Sequence, residues 1–343
     1  MVGPAAFPLP FAAFMEQALY GDNGYYRRET LAIGEAGDFV TGSSLSSLFG
    51  RATARLLQRL DAALGCPAEL FEAGYGTGEH LAHVLSSFGK KTRRVRGWDR
   101  VRRPLPAGAT PVADLDEVPS GSIEGLIFSY ELFDALPVHR LIGRLIGRTD
   151  GSVGELWVDR GEDGGFAWRE GGLSDPALLD LLREPDVKLQ PGQIADLAPG
   201  WAPLYGELAR KLGRGLLVTC DYGYERERLL DPHVRMHGTL ACYSRHRVHR
   251  NPFVLVGEQD LTAHVDFTTL RRAGEAAGLT TFAFTRQALW LAACGLFEDL
   301  QEASAETRLT AMALLDGEGM GEEIRVLVQA RGIDPAEVLP GLG

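Results

Sequence analysis

In FEAGYGTGEH, Phe71 to His80, glycines stand at 74, 76 and 78, just after Glu72. Bare backbone at the end of a strand lets N–H groups approach a ligand, and glycine tolerates positive φ where other residues do not. The dinucleotide fingerprint G-x-G-x-x-G needs a third glycine at position 79, where this chain has Glu79. A carboxylate at a helix start repels a pyrophosphate. Glu72 favours a cation, and the sulfonium of S-adenosylmethionine is one. Gly74, Gly76, Gly78 and Glu72 therefore tilt toward S-adenosylmethionine as cofactor, with a ligand-free turn as the alternative. Asp99 follows Gly78 by about 20 residues, the spacing at which an acidic residue accepts from ribose hydroxyls. NAD carries the same ribose, so Asp99 does not choose between the two. Asp114 ends a third strand and could accept from the adenine amino group, with Asp116 and Glu117 competing.

A second group lies in YELFDALPV, Tyr130 to Val138. In open α/β folds ligands bind at the carboxyl edge of the sheet. Glu131 and Asp134 there suit a cationic acceptor such as a guanidinium, which prefers paired planar hydrogen bonds.

The elements that position these residues alternate. Helices are predicted over Phe11–Tyr20, Leu45–Leu64 (with Ser43 and Ser44 as caps) and Glu79–Phe88, and strands over ELFEA, RRVRGWD, TPVAD and IEGLIFS. That order implies a parallel sheet with right-handed crossovers. LIGRLIGR, VGELWVD and GGFAWRE look antiparallel. Helical patterns follow at Pro176–Arg183 and Trp201–Leu212, then a buried strand in GRGLLVTCDYGYE, a helix over Phe267–Ala277, and mostly helix from Gln287 on. The expectation is one α/β domain with an inserted subdomain.

The ordered blocks YGDNGYY, GDFVTGSSLSSLFG, FEAGYGTG, YELFDALPV, LLVTCDYGY, GTLACYSRH and NPFVLVGEQDLTAHVDFTTL resemble the MidA-type S-adenosylmethionine-dependent methyltransferases. That family includes the mitochondrial protein-arginine methyltransferase that assists respiratory complex I assembly. The resemblance implies a class I, Rossmann-like fold: a mostly parallel sheet with helices on both faces, plus an inserted α+β subdomain or lid. It implies an N-terminal helical segment and cofactor-covering loop over 1–65 and a core over 66–300. The core would carry an insertion at about 140–200 and a lid at about 223–266, and a helical extension would cover 301–343. Gly37–Thr41 would close over the cofactor with Thr41 near its amino-acid end. Asp260, Thr262 and His264 would lie over the acceptor side, bordered by Asp221 and Tyr222. Asp260 and His264 join Glu131 and Asp134 as candidate catalytic residues, His264 accepting the proton after transfer. Departures cluster at the site. Ser44 and Thr77 replace family residues. Tyr130 stands where the family has asparagine, filling more space and offering one hydroxyl to the cofactor.

The implied function is methyl transfer to a protein, on arginine. Alternatives are a relative that binds cofactor or partner without turnover, a small-molecule methyltransferase, and a nicotinamide oxidoreductase. A net charge of −11, from 35 basic and 46 acidic residues, argues against nucleic-acid or anionic-membrane partners. The arginines at 93, 94, 96, 100, 102 and 103 read as a solvated rim. Four dispersed cysteines without CxxC speak against a metal site and for reduced thiols. No apolar run reaches the ~20 residues of a membrane span. The N-terminal stretch lacks a basic n-region and does not read as a signal or transit peptide. A cytoplasmic location is expected, and a homodimer is left open.

Overall fold

The computed structural model describes residues 7–28, 46–89, 93–145, 152–183, 187–315 and 323–342. The chain forms two compact units. One comprises Met1–Phe39, Phe133–Trp201 and Gly223–Thr268; the other comprises Val40–Leu132, Ala202–Tyr222 and Thr269–Gly343.

The second unit is built on seven strands: β1 (Glu69–Ala73), β2 (Val95–Trp98), β3 (Thr110–Val112), β4 (Ile123–Tyr130), β5 (Leu212–Tyr224), β6 (Thr280–Arg286) and β7 (Ile324–Arg331). They lie in the order β3-β2-β1-β4-β5-β7-β6. Strands β1 to β5 run parallel, and β7 is antiparallel to both its neighbours. The central strands are near-continuous apolar runs because helices cover both faces of such a sheet. Helix α1 (Ser47–Leu64) buries Leu48, Phe49, Ala52, Leu56, Leu57, Leu60 and Leu64 on one stripe. Its cap is Ser46, whose side chain accepts from the Leu48 N–H, rather than the expected Ser43 or Ser44, which lie outside the described residues. Gly65, in the left-handed region at φ 74°, ends it. Helix α2 (Glu79–Phe88) starts directly from the glycine loop.

The expected helical extension over 301–343 is corrected by β7. IRVLVQAR lies between two strands and is buried at seven of its eight positions. A short apolar run of this kind carries no period that separates strand from helix. TTFAFTR likewise forms β6. The arginine rim is also corrected in part. Arg93 forms a two-pronged ion pair with Asp61 at 2.6 and 2.8 Å, and Arg96 is buried against Glu69.

The first unit holds an antiparallel sheet of Leu9–Pro10, Val153–Arg160, His139–Gly143 and Ile194–Leu197, with Phe166–Gly171 also on Val153–Arg160. Helix Phe11–Tyr20 packs Phe11 and Phe14 into an aromatic cluster with Phe166, Trp168 and Phe253. A three-stranded sheet runs Arg247–His249, Ala241–Ser244, Asp260–Thr262. The expected insertion and lid segments thus share one unit with the N-terminal helix.

Close backbone approach fixes the middle of the large sheet. Gly125 on β4 sits opposite both Glu69 and Gly215, and a Cβ there would enter the Glu69 carbonyl. Gly125→Ala should lose about 3 kcal/mol or more of stability, read by urea denaturation; an unchanged midpoint would reject this packing.

Candidate functional site

A carboxylate stands at or near the carboxyl end of each of β1 to β5: Glu72, Asp99, Asp114, Glu131 and Asp221. The chain turns sharply after β1, with Gly74, Gly76 and Gly78 all at positive φ (76°, 53° and 78°). A Cβ on Gly74 would press on Leu132, and one on Gly78 on Pro106, whereas one on Gly76 would meet nothing within 4 Å. The loop therefore leaves open space at its apex, where a ligand can approach bare backbone. Asp99 closes the apex from β2. Its Oδ2 accepts from the Gly76 N–H at 2.9 Å and its Oδ1 from Val101 N–H at 2.9 Å. Burial raises its carboxyl above the ordinary range, more than those two bonds and Arg103 lower it. Tyr75, beside the apex, is buried and exchanges two hydrogen bonds with the backbone of Arg103, tying the β2 exit loop to the glycines.

Glu72 is held from the far side. It is buried, with Oε2 2.9 Å from His80 Nδ1; His80 Nε2 is 3.0 Å from Thr53 Oγ1, which donates to the Phe49 carbonyl. His80 and Thr53 were not singled out from the sequence. The signal was there: His80 is the second residue of the helix that leaves the glycine loop.

Glu131 sits at φ 47°, a left-handed conformation uncommon outside glycine, and its N–H donates to Cys220 O at 2.9 Å. Such strain persists where the surroundings over-determine it, often at functional positions. Asp221 lies level with Glu131, because Tyr130 pairs with Cys220. Tyr130 points elsewhere. It is buried between Phe49 and Phe128 and donates its hydroxyl to Gln287 Oε1 at 2.7 Å. Its expected contact with a cofactor gives way to a core role. Asp114 is exposed and caps the turn Leu115–Glu117 through the Asp116 N–H. Thr41 lies outside the described residues.

The first unit gathers the other candidates. Asp134 and Asp260 are buried, and both act on the Tyr26 hydroxyl, which hydrogen-bonds to Asp260. Burial first, then Asp260, raises the Tyr26 phenol well above its ordinary value. The Asp134 carbonyl accepts from Ala263 N–H at 3.0 Å. Tyr26 stacks on Tyr20, whose hydroxyl donates to Ala135 O. Tyr26 lies in the signature-like block YGDNGYY, and no local pattern there marks it as a partner of Asp260. The His264 ring lies tilted against Tyr224, centroids 5.7 Å apart, and its backbone N–H donates to Thr239 Oγ1. Burial, then the charge of Arg235, lowers its imidazole to about 4. Among the described residues no cluster of His, Cys, Asp and Glu could hold a metal ion, and no helix is long and apolar enough to cross a membrane.

Residues 90–285, more than half of the chain, match the family described as "Putative S-adenosyl-L-methionine-dependent methyltransferase". The protein arginine methyltransferase NDUFAF7 of Xenopus tropicalis is 27% identical, over 79% of this chain and 68% of that protein. Its Drosophila melanogaster homologue is 25% identical over the same shares. A Burkholderia thailandensis structure bound to S-adenosyl-homocysteine superposes with TM-score 0.85 at 27% identity, covering 97% of this chain and 91% of that one. The Xenopus and Drosophila relatives are mitochondrial proteins by name, which overturns the expected cytoplasmic location.

The lowered His264 imidazole has a consequence for acid stability. The unfolded chain takes up a proton at its ordinary value near 6.5, while the folded chain does so only near 4. Stability is therefore full above about 6.5 and falls as pH drops toward 4. His264→Gln should flatten that part of the stability–pH curve; an unaltered slope would remove His264 as its source.

Proposed function

This chain belongs to the S-adenosyl-L-methionine-dependent methyltransferase family, and from that premise we propose that it methylates an arginine side chain of a protein. The observation that carries the reading is the row of five carboxylates at the sheet's carboxyl edge, beside a glycine apex with open space in front of it. That row suits a sulfonium and an ammonium and repels a pyrophosphate, which disfavours the nicotinamide alternative.

The residues fit the cofactor. Asp99 would accept from its ribose, the glycine apex would take its backbone-side contacts, and Glu72, fixed by His80 and Thr53, would attract its amino-acid end. When bound, S-adenosylmethionine supplies a methyl group on a sulfonium, already a good leaving group. The chain's task is then alignment and exclusion of water. Glu131 is assigned to hold the acceptor guanidinium, whose charge persists at all accessible pH. Within the first unit, taken by itself, the buried carboxylates Asp134 and Asp260 beside Tyr26 are hydrogen-bond acceptors of the kind a guanidinium pairs with. His264 is the free base at neutral pH. A nitrogen that gains a methyl while still protonated is strongly acidic, so even this weak base can receive the proton. The acceptor as arginine of a protein is supported by the names of the Xenopus and Drosophila relatives.

Two measurements test this. Asp99→Asn should weaken S-adenosylmethionine binding by about tenfold or more by calorimetry, since hydrogen bonds to a charged acceptor contribute ~1.5–3 kcal/mol. Because the Asp99 carboxyl is raised, wild-type affinity should begin to fall at a higher pH than an ordinary aspartate would dictate. Glu131→Gln should keep cofactor affinity and lose labelled-methyl transfer by about 100-fold. Equal transfer by that variant would sink the assignment of Glu131, and tight binding of NADH in place of S-adenosylmethionine would sink the whole reading.

A further inference from the structure

In a chain of net charge −11, the stretch His233 to Val256 contains no aspartate or glutamate and carries Arg235, Arg245, Arg247 and Arg250. It folds into the first unit as a hairpin, Ala241–Ser244 against Arg247–His249 with Ser244 opposite Arg247. The two tip residues, Arg245 and His246, both sit in the left-handed region at φ 50° and 56°. Two-residue hairpin loops of this kind ordinarily use Asn-Gly or Asp-Gly, so the strained tip here places Arg245 at the exposed end of the hairpin. Arg245, Arg247 and Arg250 are exposed.

More positive charge adjoins the hairpin. The guanidinium carbons of Arg228 and Arg235 lie 4.6 and 4.2 Å from the Tyr224 ring centroid. Tyr224 contacts the His264 ring, on which the charges of Arg235 and Arg250 both act. Arg228, Arg235, Arg247 and Arg250 form no ion pair among the described residues. The other edge of Ala241–Ser244 pairs with Asp260–Thr262, placing Tyr243 opposite Asp260. The tip begins two residues further on, roughly 7 Å along the strand. A cationic strip therefore starts beside one of the buried carboxylates.

We infer that this hairpin, with Arg228 and Arg235 on Tyr224, is a docking surface for an acidic segment of a protein. Guanidinium groups pair with carboxylates in a planar fork and steer an anionic partner during encounter. In the methylation reading, on which this part rests, the segment flanks the acceptor arginine and delivers it toward Asp260. A protein is favoured over nucleic acid or membrane. The basic strip is short, the rest of the chain repels an extended polyanion, and the exposed hairpin positions carry no Phe, Tyr or Trp on which bases could stack.

The test is fluorescence anisotropy on the full chain with a labelled glutamate-rich peptide, without turnover. The wild type should bind it, more weakly as salt rises, and should ignore the glutamine counterpart. Replacing Arg228, Arg247 and Arg250 together by Glu should weaken binding at least tenfold, with S-adenosylmethionine affinity and thermal midpoint unchanged. Should that triple variant melt early, the Arg→Gln triple serves, with a smaller loss expected. Glu131→Gln should bind the peptide like wild type, so docking stands or falls apart from the assigned chemistry. Equal peptide affinity in wild type and variant overturns the proposal. So does a result in which a single-stranded oligonucleotide or phosphatidylserine vesicles bind through these arginines and the peptide does not.

Discussion

One hydrogen bond organises the ligand-facing edge of the large sheet: the Gly76 N–H to Asp99, 2.9 Å long. It joins the apex of the loop after β1 to the end of β2, and it requires a backbone at φ 53° that a side chain would strain. The bond offsets part of the rise that desolvation imposes on the half-buried Asp99 carboxyl. Neighbouring features brace the same joint. Tyr75 pins the β2 exit loop, and Gly97 leaves room for the Tyr75 ring, which a Cβ would approach to 2.8 Å.

From this joint the electrostatics follow. Phosphate-binding loops rely on helix N-termini and free N–H groups. Here the helix start holds Glu79, and the strand ends hold acids. The sheet supplies a negative edge rather than a phosphate cradle, and a sulfonium with an ammonium is the complementary ligand. The first unit carries its own acidic group, Asp134 and Asp260 around Tyr26, beside an exposed basic hairpin. Opposite charges are thus segregated on one small unit, the acids buried and the arginines of the hairpin exposed.

Much of this was legible before the structure. Glu79–Phe88 and Phe11–Tyr20 form as their apolar spacing implies, and the glycine loop, Asp99 and Glu131 all sit at strand ends. What escaped has physical reasons. β7 escaped because a strand buried between neighbours shows no alternation. Tyr130 misled because a residue at a strand end can turn its side chain to either face, and here Phe49, Phe128 and Gln287 claim it. The roles of His80 and Tyr26 depend on partners 27 and 234 residues away, Thr53 and Asp260, which no local pattern encodes.

The position of β7 carries one more consequence. It is the last strand of the sheet in sequence, yet it lies between β5 and β6. Until residues 324–331 have left the ribosome, β5 has a bare edge and β6 has no neighbour in the sheet. The edge of β5 must be kept from pairing elsewhere over the roughly 100 residues that separate Tyr224 from Ile324. Closure of this sheet is therefore a late and non-local event in folding, set by the strand order itself.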